Sequence, residues 1–155
     1  MKQVKGLLLL SAAVIVLRII LEETGIAVGL HNVLGVTWLI LIVPIYLGWT
    51  IGRSASDSPV KQAAVAAVVF AVATRFMVMV TYSLAWIFGF GAARFSVAGG
   101  AVVGEGVTAL QGMLLIPGQI FLISSVAFAI VTALLAAATA WFAGRGASAS
   151  GVQMT

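Results

Sequence analysis

Residues 63–88 are uncharged except for Arg75 at their middle. A guanidinium at bilayer depth costs at least about 2.5–3.5 kcal/mol, so a chain with such a segment must fold to pair or solvate that cation inside protein. Whatever satisfies Arg75 is therefore the first functional question.

The setting is a membrane. The 155 residues are 63% hydrophobic and 8% charged, with a mean hydropathy of +1.22, whereas soluble domains run about 45–50% apolar and about 25% charged. A net charge of +4 could suggest nucleic acid. No cluster of Lys and Arg exists to follow phosphates, however, so the excess reads as an orientation signal. With no Cys there is no disulfide, thiolate metal site, thiol nucleophile or iron–sulfur cluster. The single His31 cannot supply both axial ligands of a bis-histidine haem from one chain. No cofactor is named by the residues.

Four apolar segments predict an all-α integral membrane protein, a four-helix transmembrane bundle. Helix one covers about 5–24, an uncleaved first span because no small-residue cleavage site follows its apolar run. Helix two covers 33–52 and contains Pro44, which should bend it. Helix three covers 60–88, preceded by the hydrophilic turn 53–61 with Pro59 in the first helical turn. Helix four covers about 119–143, and 144–155 form a short, weakly ordered tail. Residues 1–143 thus make one transmembrane domain. The Gly-rich stretch 89–111 is too apolar for disorder and reads as a re-entrant or interface-lying segment.

Orientation follows from the basic residues. With a cytoplasmic N-terminus, Lys2, Lys5, Arg53, Lys61 and Arg145 lie inside and Arg94 alone outside, so both termini are expected in the cytoplasm. Trp38 and Trp86 then mark the outer boundary, Trp49 and Trp141 the inner one. A bacterial inner membrane is the expected location.

That topology gathers the few polar residues. Arg18 and Arg75 fall at similar depth, roughly 20 Å above the inner basic residues, and Glu22 lies one turn beyond Arg18 on the same face. A buried network of Arg18, Glu22 and Arg75 between helices one and three is expected, as a ligand site or a structural clamp. Glu23, His31, Asn32 and Glu105 form a possible outer-face site. His31 with Glu22, Glu23 and Glu105 has the donor types for zinc, but their spacing matches no metal motif, and neither Ser96 nor Thr108 has a His at a telling distance. No metal and no catalytic set is expected. Residues 89–94 lack the third glycine of a dinucleotide fingerprint.

Small-residue ridges at four-residue steps, Ala63-Ala67-Ala71 ahead of Arg75 and Ser125-Ala129-Ala133-Ala137 on helix four, predict packing seams within the chain or between copies. The favoured function is a non-catalytic subunit or scaffold that self-associates or docks on other membrane subunits, with the lipid bilayer as its medium. An oligomeric transporter, channel or anion-binding protein built on Arg18, Glu22 and Arg75 is the alternative. A membrane enzyme acting on a lipid-like substrate at the outer face is the third class.

Overall fold

The computed structural model describes residues 2–25, 35–54 and 57–151. Among the described residues four helices dominate: α1 (Lys2–Thr24), α2 (Val36–Gly52), α3 (Pro59–Phe88) and α4 (Ile116–Gly151), the last entered through a π-turn, Gln111–Leu115. Among the described residues there is no strand, only an isolated parallel bridge between Ser96 and Val103. α1, α3 and α4 with its π-turn are long and apolar enough to cross a membrane, and α2 is a shorter apolar helix. The chain is a helical, membrane-embedded protein.

α3 and α4 run antiparallel and meet through alanines. Ala63 and Ala67 pack against Ala140 and Ala136, all fully buried, because side chains this small let two backbones approach. α2 joins the same seam through glycine. A methyl group on Gly48 would come within 2.5 Å of the Ala136 carbonyl oxygen, and one on Gly52 within 2.5 Å of that of Ala140. The Gly48→Ala chain should therefore lose about 1–2 kcal/mol, the lower part of the cost of overpacking. Gly6→Ala, where nothing lies within 4 Å, should gain up to about 1 kcal/mol. Denaturation midpoints of the two variants in one detergent give the comparison.

From Ser125 onward the buried positions of α4 are Ser125, Thr132, Ala136, Ala140 and Ala143, displaced from the expected Ser125-Ala129-Ala133-Ala137 ridge. A strict four-residue step advances about 40° beyond a full turn each time, so such a ridge winds off the contact face. The observed positions mix steps of seven, four and three, which hold a seam on one side. Ala143 still packs, and Gly144 lies over the Gly52 carbonyl. α4 accordingly continues to Gly151, past the expected end at 143.

Its beginning also differs from the expected 119. Pro117 has no N–H for the carbonyl one turn back, that of Met113. The preceding turn widens to π, and the Ser83 hydroxyl of α3 donates to the Met113 oxygen at 2.8 Å. A side chain from a neighbouring helix thus replaces the missing donor.

α1 contributes a heptad-like stripe: Val4, Ser11 and Ile15 are buried, followed by half-buried Arg18 and Glu22. Val4 joins Val43, Leu47 and Phe70 in one cluster, and Ile15 joins Val36 and Ile40 in another. Pro44 sits inside α2, fully buried.

Candidate functional site

The site lies where α1 ends against the connection 89–110. α3 stops at Gly89, whose left-handed backbone (φ 64°) suits glycine. The chain then makes two 3-10 turns, Ala93–Phe95 and Val97–Gly99. Four backbone bonds tie Phe95, Ser96 and Val97 to residues 101–103, including Val103 N–H to the Phe95 carbonyl at 2.7 Å. Phe95 and Val102 are fully buried and, with Ala92, pack on Ala85, Tyr82, Trp86 and Ile19. The Gly-rich stretch is a small folded cap with its own core.

Two adjacent carboxylates of α1 hold this cap. Glu23 accepts the backbone N–H groups of Gly91 and Ala92 at 2.9 and 3.0 Å. Glu22, its side chain only 6% exposed, takes Arg18 Nε at 2.7 Å on one oxygen and meets Arg94 Nε at 2.6 Å on the other. The Arg94 contact is one of charge, not of aligned hydrogen bonding: Glu22 Oε2, Arg94 Nε and Arg94 Nη2 are buried without a hydrogen-bond partner among the described residues. Burial lowers the Arg94 pKa, Glu22 opposes that shift, and Arg18 adds to it. Arginine remains charged regardless. The guanidinium also lies 4.3 Å from the Phe95 ring centre, an arrangement worth about 0.5–2 kcal/mol.

Truncating the Glu23 carboxylate should loosen the cap locally. In Glu23→Ala, hydrogen exchange at the Gly91 and Ala92 amides should accelerate at least about tenfold, since bonds to a charged acceptor contribute roughly 1.5–3 kcal/mol.

Arg75 is placed differently from the expectation. It makes no ion pair among the described residues. Its guanidinium carbon sits 3.7 Å from the ring centre of Phe128 on α4, and its Nε is buried without a hydrogen-bond partner. Phe128 packs against the cluster of Ile15, Val36 and Ile40, and Arg75 is turned to α4. Three four-residue steps from Ala63 rotate a side chain by about 120°, which carries position 75 off the alanine face. The place beside Glu22 that depth alone assigned to Arg75 is taken by Arg94.

Two more buried polar atoms near mid-helix, Thr74 Oγ1 and Ser125 Oγ, have no hydrogen-bond partner among the described residues. Tyr82 meets Phe95 edge-on at 5.2 Å. Glu105 is exposed between Gly104 and Gly106, apart from the cluster. His31 and Asn32 lie outside the described residues. Among the described residues no three His, Cys, Asp or Glu side chains gather as metal ligands. Ser96 Oγ donates to the Ala93 carbonyl, and Thr108 Oγ1 pairs with Gln111, so both hydroxyls are used locally.

Arg94 and the Gly91–Ala92 amides are the site components that sequence reasoning missed. One signal was present: Arg94 is the only basic residue of the segment 89–111, and the charge count put it on the same side as Glu22. No protein-family model, curated protein or solved structure matches the chain.

Proposed function

We propose that the chain is a four-span membrane subunit without catalysis of its own, docked through its membrane-spanning surface on another membrane protein. Both termini lie in the cytoplasm and the 89–110 cap faces outward. The distribution of charge supports this orientation. Lys5, Arg53, Lys61 and Arg145 belong to one end, where Arg53 stacks on Trp49 at 4.3 Å and Arg145 on Trp141 at 3.6 Å. Paired Trp and Arg suit the level of lipid headgroups. α2 has 17 residues, about 25 Å of helix. That is shorter than the ~30 Å of a hydrocarbon core, so α2 crosses as a fourth span where the bilayer thins around it. A chain without Cys is a ready background for the test. In intact cells a single cysteine at Ala98 should react with an impermeant maleimide and one at Ser54 should not; the reverse pattern inverts the topology.

The docking reading rests on one observation: mid-span Arg75 has no counter-charge among the described residues. The four acids are accounted for. Glu22 is held by Arg18 and Arg94, Glu23 by two amides, and Asp57 and Glu105 are exposed in connections. Phe128 offsets part of the desolvation of Arg75 but gives its Nε no acceptor. A subunit whose buried cation is completed by a partner has this form. Extraction in mild detergent should yield a second membrane chain in fixed stoichiometry. A monodisperse assembly of this chain alone would overturn the docking reading.

A second reading has its own support. Arg18 and Arg94 together outweigh Glu22 and are each about one-fifth exposed, which suits an anion at the outer surface. Phosphate should then raise the melting temperature of the intact chain, and Arg94→Gln should remove that rise.

A further inference from the structure

We infer that the groove between α3 and α4 beside Arg75 receives a transmembrane helix of a different protein, one carrying an Asp or Glu at mid-membrane depth; this rests on the subunit reading above and names the partner's chemistry. The groove has a volume of about 500 Å³, with Val68, Val72, Ala73 and Phe76 on the α3 side and Phe121 on the α4 side. Phe76 and Phe121 line it and meet edge-on at 6.1 Å. At about 100° per residue, Arg75 lies within about 20° of Val68 around α3, at the edge of the groove face. Phe128 follows Phe121 by seven residues, so the ring under the guanidinium and the ring in the groove share one face of α4. The groove and the uncompensated cation are neighbours.

Depth decides what can fill it. Arg75 is roughly 24 Å from the start of α3 and roughly 20 Å from its end at 1.5 Å per residue, too far in for a lipid headgroup. Hydrocarbon walls offer nothing to solvate a free anion. Within a bilayer core, backbone has to satisfy its own hydrogen bonds, and a helix is the form in which a neighbouring chain brings a side chain to that depth. The walls supply close van der Waals contact, which drives helix association in lipid. A carboxylate then supplies the counter-charge that Arg75 lacks among the described residues, and the pair is strong where water is excluded.

A second copy of this chain does not fit. Its own acids lie in connections or at the far end of α1, where Glu22 is already enclosed by two arginines. The partner's acid has to come from another sequence.

The test uses the full chain in phosphatidylcholine vesicles and synthetic polyleucine helices with one central residue, Glu or Gln, read by energy transfer between labels. At pH 7 the Glu helix should associate at least tenfold more tightly than the Gln helix. Arg75→Met should abolish that difference, whereas Arg75→Lys, which keeps the charge but loses the fork, should retain part of it. Val72→Trp, filling the groove, should weaken association of both helices, and Ile123→Trp, on an α4 position 75% exposed, should leave it unchanged. Equal association of the Glu and Gln helices, or a Glu preference that survives Arg75→Met, overturns the inference. If a foreign chain co-purifies but the Glu preference is missing, the subunit reading stands and this one falls. If the preference is present and no foreign chain co-purifies, the subunit reading is the one that fails.

Discussion

Glu22→Gln is expected to lower the stability of the fold by about 3–5 kcal/mol, the cost of removing one member of a buried ionic group. The amide keeps the shape of the carboxylate. It leaves Arg18 and Arg94, each about one-fifth exposed, facing one another across a neutral group. Their mutual repulsion is then opposed only by the Phe95 ring beneath Arg94. The cap should be released first, because Arg94 belongs to it and Arg18 belongs to α1. Denaturant unfolding in detergent gives the midpoint, and hydrogen exchange over residues 91–103 shows whether the cap opens ahead of the helices. Removing Arg94 as well should recover much of the loss: the Glu22→Gln/Arg94→Gln chain should be more stable than the Glu22→Gln single variant, a non-additivity expected of groups in direct contact. An unchanged midpoint in the single variant would show that Glu22 is not the keystone of the cluster.

The helices and their apolar faces were readable because membrane composition and span length leave few alternatives. What packs against what was less readable, and Arg75 shows why. Depth along a helix follows from residue counting. Direction around the helix accumulates error at every four-residue step, and that error turned Arg75 from α1 toward Phe128. The alanine seam of α3 is used within the chain, against Ala136 and Ala140. The Gly48-x-x-x-Gly52 spacing on α2 was a sequence signal for the same seam, made tight by the approach of α4 backbone to both glycines. The cap was the least readable part. Its shape depends on Phe95 and Val102 finding Tyr82, Trp86 and Ile19, contacts between elements that no local periodicity encodes. Ser83 is a similar case, since its value comes from a carbonyl thirty residues away that Pro117 leaves without a donor.

Arg75→Met should behave oppositely to Glu22→Gln. In the isolated chain it should raise stability by roughly 1–3 kcal/mol, because it removes a mid-span charge costing about 2.5–3.5 kcal/mol on insertion scales, less what the Phe128 contact returns. Methionine is flexible enough to occupy the stem's path and can rest its sulfur against the same ring. Most changes at partly buried positions destabilise, so a gain in the unfolding midpoint would be diagnostic of a group kept for something other than folding. The same substitution should abolish recognition of a carboxylate-bearing helix, which makes it a trade of binding against stability at one position. Arg75→Gln separates charge from size: it keeps a polar group in the span without the fork, and should give less stability than Met and no recognition. If instead Arg75→Met unfolds the isolated chain, the guanidinium is a structural member held by Phe128, and a site waiting for a partner's acid is no longer needed to explain it.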